Sequence, residues 1–180
     1  MRKNRLIVEA HAILASLISK HDVVVDATMG QGHDTYFLSK IAKEVYAFDI
    51  QEVALEKTKA LTKEQSNIHL IHDSHEHMFS YIDHAKGYIF NLGYLPTADK
   101  TITTHAKTTI QTLNQIIPRL QKDDFIQMIV YRGHPEGMIE HEALSDWLKT
   151  LNKHAYQVLM TQFYDDHKYP PYMIMIYKSL

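Results

Sequence analysis

Residues 26–35 read Asp-Ala-Thr-Met-Gly-Gln-Gly-His-Asp-Thr, with two glycines close behind a β-branched run and an aspartate. Glycine lets a backbone turn tightly and lets a ligand lie against it with no Cβ in the way. A helix opening after such a turn offers unpaired N–H groups. Asp49 closes the next β-rich run about 20 residues on, where a carboxylate can accept both hydroxyls of a ribose. A lone Gly-x-Gly is also how an ordinary strand-to-helix turn is built, so the flanking strand, helix and second acid carry the nucleoside reading. Thr35 stands where a dinucleotide binder prefers a third glycine. Asp26 beside the turn repels a diphosphate and favours a cationic ligand. S-adenosylmethionine carries a sulfonium and an ammonium and no phosphate, so charge favours it.

Two further segments carry candidate chemistry. His72-Asp73-Ser74-His75 follows a short apolar run. Asp73 or Ser74 can hydrogen-bond a base edge there and His75 can stack on it; alternatively Asp73 caps a short helix. Phe90-Asn91-Leu92-Gly93-Tyr94-Leu95-Pro96 closes another apolar run. Asn91 offers a neutral acceptor and two donors. Tyr94 offers a ring face and a hydroxyl, and Gly93 allows close approach to the backbone. A plain Asn-Gly turn with Tyr94 packed in the core is the alternative.

These segments need a scaffold that brings strand ends together. Hydrophobic periodicity predicts helices over 6–19, His33–Lys40, Gln51–Gln65, Thr104–Leu120 and Gly137–Leu151. Strands are predicted at Val23–Ala27, Glu44–Asp49, Ile68–Ile71, Gly87–Asn91, Phe125–Tyr131, Tyr156–Tyr164 and Tyr172–Tyr177. Alternating strands and helices imply an α/β fold with a mostly parallel seven-stranded sheet and helices on both faces. The last two runs have no helical pattern between them, so the final strand is expected to be antiparallel. Ligands in such sheets sit at the carboxyl ends of the strands, where all the segments above fall.

Asp26–Thr35 (DATMGQGHDT), Tyr46–Gln51 (YAFDIQ), Phe90–Pro96 (FNLGYLP), Lys100–Thr104 (KTITT) and Gly133–Gly137 (GHPEG) stand at a spacing that resembles one family. It comprises the small bacterial class I, Rossmann-like methyltransferases long labelled putative rRNA methylases, which include tRNA wobble-uridine enzymes of Gram-positive bacteria. The resemblance spans nearly the whole chain. It implies S-adenosylmethionine as methyl donor and a tRNA anticodon loop as substrate, N-methylated on the 5-aminomethyl group of 2-thiouridine. It places Gln31, Gly32, Asp49, Gln51, Ser74 and His75 along the cofactor, and Asn91 to Tyr94 at the methyl-transfer centre. With the flanking residues, the candidate cofactor site takes in Asp26, Thr28, Gly30, Asp34, Thr35 and Asp73, and the candidate catalytic residues are Asn91, Gly93 and Tyr94. The segment also resembles the Asn-Pro-Pro-Tyr element of nucleic-acid amino-methyltransferases, with Leu92 and Gly93 in place of both prolines.

Composition sets the remaining bounds. A chain of 180 residues is expected to form one domain. At 45% hydrophobic and 22% charged it has the make-up of an ordinary globular protein. The absence of cysteine excludes disulfides, thiolate metal sites and a cysteine nucleophile; with no membrane span, a cytoplasmic protein is expected. The basic then apolar start is interrupted by Glu9 and His11, so it reads as an amphipathic helix, not a signal peptide. Thirteen histidines invite a metal, but the four between His69 and His77 have no ligand spacing, so none is expected. A net charge of −2 gives no global pull toward nucleic acid. RNA contact must be local, with Lys100, Arg132 and His134 as candidates and Arg2, Lys3, Arg5 and Lys107 beside them. His134 equally fits a helix N-cap ahead of Pro135. The grip falls to the domain itself or to a homodimer. Proton acceptors open to a methyl-transfer reaction are water, His11 and His134. An rRNA base methyltransferase and a non-catalytic nucleoside-binding module are the rival functions.

Overall fold

A computed structural model of the chain describes residues 5–93, 106–164 and 169–179. Its elements run α1 (Arg5–Leu17), β1 (Val23–Asp26), α2 (His33–Ile41), β2 (Glu44–Asp49), α3 (Glu52–Leu61), β3 (Ile68–His72), β4 (Gly87–Leu92), α4 (Ala106–Ile116), β5 (Phe125–Val130), α5 (Pro135–Lys149), β6 (Tyr156–Gln162) and β7 (Tyr172–Lys178). The strands form one seven-stranded sheet in the order β3-β2-β1-β4-β5-β7-β6. The first five in that order are parallel, and β7 runs antiparallel to both β5 and β6. The antiparallel last strand is as expected. Its insertion between β5 and β6 is an addition that the order along the chain does not reveal.

Side-chain alternation along the strands splits the core between the two faces of the sheet. Val24, Ile89, Phe125, Met173 and Met175 pack against Leu6, Ala10 and Leu14 of α1 and Leu38 of α2. Their neighbours Val25, Phe90, Ile126, Ile174 and Ile176 pack on the opposite side against Leu113 and Ile116 of α4 and Leu144 and Trp147 of α5. Leu6, Ala10 and Leu14 recur every fourth residue, which is why one stripe of α1 is buried.

The helix expected to reach Leu120 gives way after Ile116 to a tighter turn over Ile117–Arg119. Pro118 has no N–H for an α-helical bond there. At the start of β4, a Cβ on Gly87 would lie 2.3 Å from the Phe125 ring, so only glycine fits against that neighbour. The chain runs outward from β1 to β3 and returns to β4 on the other side of β1. The carboxyl ends of β1 and β4 therefore flank the reversal point where ligands bind in open sheets. Among the described residues no helix is long and apolar enough to cross a membrane.

Candidate active site

The β1 end is built around a buried acid. The Asp26 carboxylate is fully buried and accepts from Thr35 Oγ1 at 2.6 Å and from Thr28 N at 3.2 Å. Burial, and then the nearby Asp34 charge, push its pKa up to about 7. Thr35 is also fully buried. Expected along the ligand, these two side chains are buried and bonded to each other. Thr35 replaces the third glycine because its hydroxyl fastens Asp26.

Gly30 and Gly32 adopt left-handed φ angles of 55° and 80°. A Cβ on Gly32 would also meet Thr58 Oγ1 at 2.6 Å, so the turn is restricted to glycine twice over. The turn is clamped to the end of β2: Gly30 N donates to Asp49 Oδ2 at 3.0 Å, and Gln51 N donates to Asp49 Oδ1 at 2.9 Å. Burial raises the Asp49 pKa despite those bonds. Ile50 N adds a third backbone bond, and the side chain remains partly open. The carboxylate is thus fixed in place at the end of β2.

At the end of β3, Ser74 and not Asp73 caps the following turn, accepting from Glu76 N. Asp73 is held by His77 Nδ1 and the Tyr81 hydroxyl, both at 2.9 Å. The His77 bond is the main cause of its lowered pKa. His75 is buried, with Nδ1 donating to the Ala27 carbonyl at 3.1 Å. That bond fixes the tautomer, and burial lowers its pKa, so the ring is neutral. Nε2 is then an acceptor, buried and without a partner among the described residues. The ring stands edge-on to Phe90 at 5.6 Å and 81°. It presents an acceptor atom more readily than the stacking face expected of it.

The β4 end holds a further buried polar atom without a partner among the described residues. Asn91 N donates to Thr28 Oγ1 at 2.7 Å, joining β4 to the turn after β1. Asn91 Nδ2 donates to Asp34 Oδ2. Asp34 Oδ1 in turn lies 2.6 Å from His11 Nε2. Asn91 Oδ1 is buried and has no partner among the described residues. Asp34, expected at the cofactor, is occupied by these two side chains. Tyr94 and Lys100 lie outside the described residues.

His134 is the N-cap of α5, its Nδ1 accepting from Gly137 N at 3.1 Å. Its Nε2 would be 3.8 Å from a Cβ placed on Gly93, so the capping residue also borders the β4 end. Arg132, expected to face substrate, is drawn toward the β6–β7 connection. It donates to Pro170 O at 3.1 Å and Gln162 Oε1 at 2.8 Å, with its guanidinium over the Tyr172 ring. Among the described residues no group of three or more acids and histidines is placed to hold a metal. His69, His77 and His84 each pair with a separate carboxylate.

Residues 45–177 match the family described as "Putative rRNA methylase". The chain belongs to this methyltransferase family. A "tRNA (mnm(5)s(2)U34)-methyltransferase, chloroplastic" of Arabidopsis thaliana is 33% identical over 184 residues, covering 86% of this chain and 67% of that protein. A solved structure of a putative rRNA-methylase from Clostridium thermocellum has a TM-score of 0.91 at 33% identity, covering 96% of this chain and 97% of that one. A methyltransferase from Streptococcus mutans, solved in complex with SAH, has a TM-score of 0.89 at 36% identity, covering 97% and 98%.

The residues at the strand ends fit S-adenosylmethionine as cofactor. Asp49 suits the ribose, and the crowded Asp26–Asp34 pair gains from a nearby cation. Asn91 Oδ1 and His75 Nε2 are buried acceptors awaiting donors.

Proposed function

We propose that the protein is a tRNA methyltransferase that methylates the 5-aminomethyl nitrogen of 2-thiouridine at the wobble position, in the cytoplasm. S-adenosylmethionine supplies the methyl group as an electrophile on a sulfonium. The observation that carries the reading is Asn91 Oδ1: a neutral, buried acceptor without a partner among the described residues, at the end of β4. The tRNA-acting relative supports the class of substrate.

A primary alkylamine has a pKa near ~10, and only its neutral form has a lone pair to accept a methyl group. Holding it neutral at pH 7 costs about 4 kcal/mol, from roughly three pK units. A carboxylate at position 91 would stabilise the ammonium and add to that cost. Asn91 Oδ1 accepts an amine N–H without adding charge, and so aims the lone pair away from itself. Alignment of nitrogen, methyl carbon and sulfur is what a displacement chiefly requires. The bonds that clamp Asp49 and Asn91 fix the proposed ribose acceptor and the proposed amine acceptor on one sheet.

The family description favours a second reading, an rRNA base as methyl acceptor. Incubation with labelled donor and separate pools of tRNA and rRNA from a deletion strain distinguishes the two. Label in tRNA, in a nucleoside that runs as 5-methylaminomethyl-2-thiouridine, is the expected outcome. Label confined to rRNA would reject the proposal.

A further inference from the structure

Asp34 connects two side chains that are remote in sequence. Its Oδ2 accepts from Asn91 Nδ2, 57 positions away, and its Oδ1 takes His11 Nε2 at 2.6 Å, 23 positions away. An ionised carboxylate only accepts. The amide nitrogen of Asn91 must therefore face Asp34, and the carbonyl oxygen must face away from it. That oxygen is the buried atom without a partner among the described residues. His11 lies on α1, and its ring stacks on Phe37 of α2 with centroids 3.9 Å apart and planes within 1°. Phe37 is one helical turn beyond Asp34, so α2 holds both the partner and the platform of His11. His11 and Asp34 also precede residues 45–177, the part of the chain that matches the family.

We propose that His11 and Asp34 are positioning residues that lock the Asn91 amide in one of its two orientations. The inference rests on the amine-methylation reading above. The torsion of an asparagine amide is broad and roughly two-fold, so nothing local prevents a flip. A flipped Asn91 would offer N–H groups to the acceptor amine. Those would hydrogen-bond to the lone pair that must attack the methyl carbon, and so mask the nucleophile. Asp34 makes the flipped state place oxygen against oxygen. His11, braced on Phe37, keeps the Asp34 carboxylate turned toward Asn91. On this account α1 is more than a cover for the sheet, because it delivers the outermost member of a three-residue chain ending at the reacting nitrogen.

The test uses His11→Phe, which keeps a ring on Phe37 but loses Nε2, and His11→Gln, whose amide can still donate to Asp34. Turnover is measured on tRNA bearing 5-aminomethyl-2-thiouridine, and S-adenosylhomocysteine affinity by calorimetry. His11→Phe should lower kcat on the order of tenfold with cofactor affinity unchanged, and His11→Gln should restore most of the loss. In an Asn91→Ala background, His11→Phe should cost nothing further. An unchanged kcat, or the same loss in both backgrounds, would overturn the proposal.

A second readout is independent of activity. The Asn91 side-chain amide protons, assigned in nitrogen-15 spectra by their disappearance in Asn91→Ala, should exchange slowly in the parent and quickly in His11→Phe. Equal exchange in both would also overturn the positioning role. If the parent protein transfers no methyl group to this tRNA, the functional reading falls, and the amide spectra still decide whether the lock exists.

Discussion

Cofactor binding should be coupled to the ionisation of Asp26. Its carboxyl is fully buried, faces the Asp34 charge, and has a pKa pushed up to about 7. Without ligand it is therefore about half protonated at neutral pH. A bound sulfonium and ammonium favour the charged form. If the bound-state pKa falls well below 5, the affinity gain between pH 5.5 and 7 follows from the free-state pKa alone. The ratio of the protonation factors is roughly (1 + 10^1.5)/(1 + 1), about sixteenfold or ~1.6 kcal/mol. Isothermal titration with S-adenosylmethionine across this range measures it. Repeating the pH 7 titration in buffers of different ionisation enthalpy should show about half a proton released. Asp26→Asn should abolish both effects, and Asp34→Asn should shift the profile to lower pH by removing the neighbouring charge. Affinity that stays flat from pH 5.5 to 7 with no proton release would show that Asp26 ionisation is not coupled to binding. The same group gives a stability signature of definite sign. A raised folded-state pKa means the folded chain binds the extra proton, so this group's contribution to unligated stability falls as pH rises from about 4 to 7.

Asp49→Ala should weaken S-adenosylhomocysteine binding about tenfold to a hundredfold, since charged hydrogen bonds contribute roughly 1.5–3 kcal/mol; calorimetry on the folded variant checks this. Asn91→Ala should lower kcat on the order of 10²-fold, with cofactor affinity little changed in the same titration. Asn91→Asp adds a carboxylate against Asp34 and raises the acceptor amine's pKa; its turnover should be impaired at pH 7 and recover in part as pH rises, and the parent's pH–rate profile in this variant would count against an amine acceptor. Gly32→Ala meets both a φ of 80° and Thr58 Oγ1 at 2.6 Å; its Tm should fall, at about 2–4 °C per kcal/mol for a chain of this size, in a thermal melt.

Much of this site is local and therefore legible in sequence. The turn after β1 announces itself because two glycines sit between a β-branched strand and a helical pattern. Asp49 follows because one crossover of a parallel unit has a narrow length range. Asn91 stands out as a polar residue at the end of a run that is otherwise buried. Roles that depend on long-range packing are not legible. Thr35 looks like a missing glycine until its hydroxyl is seen on Asp26. Arg132 looks like a phosphate ligand until Pro170 and Gln162 are found against it. His11, Asp34 and Asn91 belong to two helices and a strand, and no periodicity relates them. The position of β7 between β5 and β6 is likewise a choice of partner, which alternation along a single strand does not encode.

The proposed methyl acceptor is the nitrogen of a wobble-uridine side chain. Nucleoside mass spectrometry of purified tRNA bearing 5-aminomethyl-2-thiouridine, before and after incubation with the protein and S-adenosylmethionine, decides whether it is. This nucleoside should be replaced by its methylaminomethyl form, and Asn91→Ala should slow the replacement without changing the product. Persistence of the aminomethyl nucleoside under conditions where the same preparation methylates another nucleoside of tRNA or rRNA would contradict it.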